Sequence, residues 1–121
     1  MSATVLESAT SATTVALRTP ATLRNPALLP VMCELPVEAI RSCQVAASVI
    51  VDGTQVQVGR GSAAAEGRPV ARKLAVAVEL SDLGRELVSR ADGATLVLEA
   101  VVQGVTSGSY SAATPLHVTA R

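Results

Sequence analysis

The chain has 121 residues, the length of a single domain, and 49% of them are hydrophobic. It contains no Trp, no Phe and one Tyr, so Val, Leu and Ala must fill its core. The formal net charge of zero argues against a nucleic-acid surface or an anionic-membrane surface as the main function. No apolar run reaches the ~18 residues that a membrane helix needs, so membrane insertion is not expected.

Residues 1–12 are rich in Ser, Thr and Ala, with Val5 and Leu6 as their apolar anchors. This composition predicts a flexible arm, and the alternative is an extended strand that adds to the sheet edge of a neighbouring subunit. The segment has neither the basic nor the apolar region of a signal peptide. We therefore expect a cytoplasmic or virion-borne chain as written, or one with sequence upstream of Met1. The domain itself is predicted to span residues 13–121.

The first two predicted strands of the domain are residues 13–18 and 27–35. The second alternates apolar residues on one face, and those expected to face the core are Leu29, Val31 and Cys33. Pro30 interrupts this strand and cannot donate a ladder hydrogen bond, which predicts a bulge or an edge position. The connection that follows, residues 35–42, carries Glu38 on its expected solvated side.

The strongest local pattern is a hairpin over residues 43–60. Asp52-Gly53 meets the positive-φ requirement of a two-residue turn and sets the register. On the apolar face, the predicted pairs are Val51 with Thr54, Val49 with Val56 and Ala47 with Val58. On the mostly polar face, Ile50 lies opposite Gln55 and Ser48 opposite Gln57. We predict that Ser48, Gln55 and Gln57 form a candidate surface for a protein partner.

Cys33 and Cys43 are the two cysteines of the chain, ten positions apart. Both fall on the inward parity of their strands, which favours a disulfide; the alternative is two buried free thiols. No His lies near them and their spacing fits none of the usual zinc patterns, so no metal site is expected.

The second half of the chain predicts three further strands and one short helix. Residues 61–70 are small and polar and predict a long loop or a short edge strand. The strand predictions are residues 71–80, 94–104 and 110–120. Leu80, Leu83 and Leu87 recur at helical spacing, with Ser81 or Asp82 as the N-cap, which predicts one or two helical turns.

A small basic cluster accompanies the middle of the chain. It consists of Arg60, Arg68, Arg72 and Lys73. No aromatic residues are interleaved with it, so it is interpreted as a solvated face, and no nucleic-acid partner is expected.

These elements predict an all-β domain. About seven strands with turn signals between them, and one short helix between strands five and six, favour an antiparallel two-sheet sandwich, because no long crossover helices are present for parallel pairing. A closed barrel is the structural alternative.

The order of elements resembles the immunoglobulin-like or fibronectin type III-like domains of actinobacterial secreted and surface proteins. The resemblance covers residues 13–121 and rests on Cys33, Cys43, the Gly59–Gly61 step and the Leu80–Leu87 segment. It implies a sandwich that serves as a spacer, stalk or interaction module of an extracellular protein. The buried Trp and the tyrosine corner of antibody-type domains are missing.

Catalytic groups are sparse in the sequence. His117 is the only histidine, lies at outward parity, and no nucleophile or carboxylate is placed beside it. Glu79 and Glu99 are outward on strands that could be neighbours, but two carboxylates alone do not make a site. The parity of Tyr110 predicts a lid on the end of the core. We therefore expect no enzyme, no cofactor and no small-molecule substrate.

Two functions from different classes remain. The first is a non-catalytic, immunoglobulin-like structural or interaction module of an extracellular or cell-surface protein. The alternative is a phage virion protein, a capsid-decoration or tail-surface protein, which assembles through its sheet edges and N-terminal arm. Both imply protein partners or self-assembly.

Overall fold

The computed structural model describes residues 15–20, 22–65, 71–106 and 108–120. The predicted N-terminal arm, residues 1–12, lies outside this part of the chain. The strands are β1 (Ala16–Arg18), β2 (Thr22–Leu23), β3 (Leu28–Glu34), β4 (Ile40–Val51), β5 (Thr54–Ala64), β6 (Lys73–Leu80), β7 (Ala94–Gly104) and β8 (Ser109–Ala120), and the helix is α1 (Asp82–Val88).

The described strands form one curled sheet of eight strands in the order β1-β3-β6-β5-β4-β7-β8-β2. The prediction was about seven strands in two antiparallel sheets. The short strand β2 accounts for the additional strand, and it pairs with β8 in parallel, so the sheet is mixed. A two-residue pairing between β5 and β6 joins what would otherwise be separate sheets: Gly59 lies opposite Leu80 and Arg60 opposite Glu79.

The sheet curls back on itself because one short segment carries both of its end strands. β1 pairs with β3 at one end of the strand order, and β2 pairs with β8 at the other. Residues 19–21 separate β1 from β2, so Arg18 and Thr22 are four residue steps apart, which span at most about 14 Å. The two ends of the sheet are therefore held close together.

The hairpin prediction is confirmed over most of its length. Asp52 and Gly53 have φ values of 52° and 78°, and the register runs from Val51–Thr54 to Ser48–Gln57 as predicted. The Ala47–Val58 pair was wrong. A β-bulge sets Ala47 opposite Gly59 and leaves Val58 as the extra residue. Apolar alternation could not detect it, because Val58 remains buried.

The remaining elements are close to their predictions. β6 alternates buried and exposed residues along its whole length, as predicted. β5 continues to Ala64 where a loop or short edge strand was expected, since Ser42–Val45 of β4 supplies partners for its small residues. The side chain of Ser81 caps α1 by accepting the Gly84 N–H.

The core lies inside the curled sheet and is aliphatic. Its fully buried side chains include Leu29, Leu96, Leu98, Val76 and Val102. Both prolines that interrupt strands lie where an outer edge is unpaired in the described chain: Pro30 on β3 beyond the reach of β1, and Pro115 on β8 before the pairing with β2. The seven residues of α1 are too few to cross a bilayer, and the described chain has no longer helix.

Candidate functional site

The candidate site is the outer face of β5, β4 and β7. Strand alternation places Gln55 and Gln57 of β5 on this face, and both are exposed. Ser48 of β4 lies between them and β7 but is only 3% exposed. Of the three residues predicted as an interaction surface, Gln55 and Gln57 are therefore accessible and Ser48 is not.

A hydrogen bond across β4 accounts for the burial of Ser48. The Gln55 Nε2 donates to Glu99 Oε1 on β7 at 3.2 Å. β4 lies between β5 and β7 in the sheet, so the two side chains must extend over its outer face. Ser48 is short and is flanked by Gln57 on one side and Val97 on the other.

Next to this bridge, the outer face forms an open groove of about 740 Å³. Its polar side chains come from four neighbouring strands. They are Gln44, Gln57, Arg60, Ser62, Glu79 and Glu99. Ala46 and Gly61, which also line the groove, present little or no side chain there and so leave space between the longer polar side chains. A rigid sheet thus holds a row of donors and acceptors open to solvent.

The outer-face groove presents hydrogen-bonding side chains to solvent, which suits it to binding. Glu79 and Glu99, which the sequence placed on strands that could be neighbours, both line the groove, but β5 and β4 lie between their strands. His117 is on β8, where its Nδ1 lies 3.3 Å from Thr95 Oγ1, and it is not among the residues of the groove. No group of three or more His, Cys, Asp or Glu side chains in the described chain could hold a metal ion.

A second polar cluster lies at the end of the sheet where β3 leads into β4. Glu38 Oε1 accepts hydrogen bonds from the backbone N–H and the hydroxyl of Thr106, and Glu38 Oε2 accepts one from the Tyr110 hydroxyl. These hydrogen bonds lower the pKa of Glu38. The bond from the Thr106 hydroxyl has the largest effect, followed by those from Tyr110 and from the Thr106 backbone. The bond to Glu38, followed by burial, raises the pKa of Tyr110.

Glu38 was expected on a solvated side; it is half-buried there, and no sequence pattern indicated the hydrogen bonds that its carboxylate accepts. Its partners are 68 and 72 positions away in the chain, so no local pattern could pair them. The half-buried Tyr110 packs against the core, as its parity indicated, but its hydroxyl also holds the β3–β4 connection to β8.

A disulfide joins the two strands on either side of the β3–β4 connection. Cys33 and Cys43 are bonded and both are fully buried. They lie on β3 and β4, which are not neighbours in the strand order, so the bond crosses the interior. It ties the β1-β3-β6 part of the sheet to the β5-β4-β7-β8 part.

Comparison with known proteins gives structural likenesses that are distant in sequence. No protein-family model matches the chain, and no curated protein sequence matches it. A solved structure of murine CRIg is similar, with 12% sequence identity and a TM-score of 0.45 over 88% of this chain and 98% of that one. So distant a likeness identifies no family, and the fold is defined by the strand pairings of this chain itself.

Proposed function

We propose that the chain is an immunoglobulin-like domain that acts as a non-catalytic protein-interaction module. Its strand pairings support this assignment. β1-β3-β6 reproduces the A-B-E order of one immunoglobulin sheet, and β5-β4-β7-β8 reproduces the C′-C-F-G order of the other. Two features depart from the antibody pattern. One is the two-residue β5–β6 pairing, and the other is the disulfide, which joins β3 and β4, the strands that correspond to B and C.

The observation that carries the proposed function is the open polar groove on the outer face. Donors and acceptors held by a sheet, with no enclosed cavity around them, suit the contact of another protein better than the capture of a small molecule. The groove also has an apolar lining residue, Val101, which is 43% exposed. Gln44 lies opposite Val101 on β4, and Glu99 lies two positions before it on β7.

Photo-crosslinking tests this proposal. A photoreactive amino acid replaces Gln57 in the groove, and a matched control carries it at Ala75, which is exposed on β6 and lies outside the groove. Both are irradiated in extracts of the source cells. We expect a discrete adduct from the groove position that excess unmodified domain suppresses. Equal labelling from Ala75, or no discrete adduct from Gln57, would contradict the proposal.

A secreted or cell-surface location is part of the same proposal. The Cys33–Cys43 disulfide supports it, because disulfides persist in oxidising compartments.

The second candidate function is that of a self-assembling virion protein, which the edge of β8 favours. This strand has twelve residues, yet β2 pairs with only its last two on the outer side. Such an edge can accept a strand from another copy. Light scattering of the purified chain distinguishes the candidates: a monomer at high concentration supports the interaction module, and ordered assemblies support the virion protein.

A further inference from the structure

A second cleft, of about 600 Å³, opens where β5, β6 and α1 meet. Arg60 of β5 and Arg85 of α1 both line it, together with Gln57, Asn25 and Glu79. Three of these residues, Gln57, Arg60 and Glu79, also line the groove on the outer face. The cleft and the groove are therefore continuous, and the proposal below rests on the interaction function proposed above.

The β-bulge at Val58 positions Arg85. The Val58 carbonyl accepts the Ser81 N–H at 2.7 Å, which fixes the start of α1 against β5. Gly84 permits this contact, because a Cβ at that position would lie 2.8 Å from the Val58 oxygen. The following residue is Arg85, whose Nε donates to the Leu80 carbonyl at 3.2 Å. The guanidinium is thus oriented by the fold before any ligand arrives.

The charge of the cleft favours a monovalent anion. The ion pairs between described residues are Arg18–Glu34 and Arg90–Glu86. Neither Arg60 nor Arg85 therefore forms an ion pair with a described carboxylate, although Glu79 lies opposite Arg60 in the β5–β6 pairing. Two arginines and Glu79 give the cleft a formal charge of +1. A guanidinium with one donor already engaged keeps its terminal NH₂ groups, whose geometry matches a carboxylate.

We propose that Arg60 and Arg85 bind one carboxylate side chain of an extended, otherwise uncharged peptide that continues along the outer-face groove. Glu79 and Glu99 line that groove and disfavour further acidic residues. The continuity of the cleft with the groove argues for a chain rather than a free anion, and Gln57, which lines both, can hydrogen-bond the peptide backbone. A singly charged carboxylate brings the formal charge of the cleft to zero, whereas a doubly charged phosphate would leave it at −1.

Nuclear magnetic resonance of the intact ¹⁵N-labelled chain tests the site through the arginine Nε–H signals. The probes are an acetylated peptide amide with one Glu flanked by Gln residues (the glutamate peptide), the corresponding all-Gln peptide (the glutamine peptide) and inorganic phosphate. We expect saturable shifts of the Arg60 and Arg85 signals with the glutamate peptide. The loss of one charge-assisted contact, in Arg60→Gln or Arg85→Gln, should weaken binding about tenfold.

Two further variants keep the test sharp. Arg90→Gln is the matched control, since Arg90 lies just after α1 and is paired with Glu86, and it should leave the affinity unchanged. Arg85→Lys keeps the charge without the fork and should bind between the wild type and Arg85→Gln. An amide spectrum that is unchanged away from the cleft shows that a variant is folded.

The inference is overturned if the wild type shows no saturable shift, if the glutamine peptide or phosphate binds as well as the glutamate peptide, or if Arg90→Gln weakens binding equally. Its failure is distinguishable from that of the proposed function. A Gln57 adduct that survives in the Arg60→Gln/Arg85→Gln variant would contradict the carboxylate site and support the interaction function. Peptide binding without a Gln57 adduct would support the carboxylate site and contradict the interaction function.

Discussion

At the scale of single residues, Glu38 shows where local reasoning ends. Its carboxylate accepts three hydrogen bonds from Thr106 and Tyr110, and so joins two connections that are remote in sequence. By contrast, the inward parity of Cys33 and Cys43 was readable from strand alternation, and the two residues are bonded in the core. Parity predicts which face a side chain takes, and it does not predict which distant partner it meets.

The Glu38 cluster should make stability depend on pH in a defined direction. Because the pKa of Glu38 is lowered in the fold, its contribution is fully present above the usual value of 4.5 and is lost as the pH falls through the lower folded value. Glu38→Gln should therefore lower the urea midpoint at neutral pH, and its difference from the wild type should shrink in acid. Urea titrations across this range measure the effect.

The control for that experiment is Glu86→Gln. Glu86 forms an exposed ion pair with Arg90, and exposed pairs contribute about 0–1 kcal/mol. A midpoint difference for Glu38→Gln that stays constant from neutral pH into acid would contradict the role assigned to its carboxylate.

At the scale of elements, turn chemistry and apolar alternation were sufficient for the hairpin turn, for β6 and for α1. These signals did not predict a strand whose residues lack apolar alternation and are held in the sheet by backbone pairing with a neighbouring strand. The Gly61–Ala64 stretch of β5 has no apolar alternation and becomes a strand because β4 pairs with it. The bulge at Val58 was equally hidden, and it is this bulge that brings α1 and Arg85 to the candidate cleft.

The turn allows a clean test of the backbone contribution to stability. A Cβ at Gly53 would meet nothing within 4 Å, so any cost of substitution arises from the φ of 78° and not from a clash. Gly53→Val should lower the free energy of unfolding by about 1–3 kcal/mol. Gly53→Asn, which tolerates this conformation, should cost much less. Equal unfolding free energies for the two variants in urea titrations would contradict the assignment of the cost to the positive φ at this position.

At the scale of the whole molecule, the all-β class followed from strand spacing and from the lack of long crossover helices. The curled single sheet did not follow, because it depends on a two-residue contact between β5 and β6 and on the short strand β2. The outer-face groove combines Gln57, which the sequence singled out, with Gln44 and Arg60, which it did not assign to that surface. Only the strand order brings these residues together.

The disulfide should matter to the stability of the whole domain, because it joins two strands that share no hydrogen bonds. Cys33→Ala/Cys43→Ala should lower the free energy of unfolding by about 2–4 kcal/mol. Chemical denaturation measures the loss. Intact mass after alkylation in denaturant without reductant is the independent check, and uptake of two labels there would show that the bond does not form.

The parallel pairing of β2 with β8 has a mechanical consequence. Chain entering the domain passes through β1 before β2, and chain leaving it departs from the end of β8. Once β1 has separated from β3, tension applied across the domain pulls β2 and β8 in opposite directions along their length. Their hydrogen bonds are then loaded together, in shear, and not broken one after another. The Cys33–Cys43 bond keeps the nine residues it encloses from extending at all. We therefore expect the domain to need a higher unfolding force, and to show a smaller increase in length on unfolding, than its short end strands would indicate.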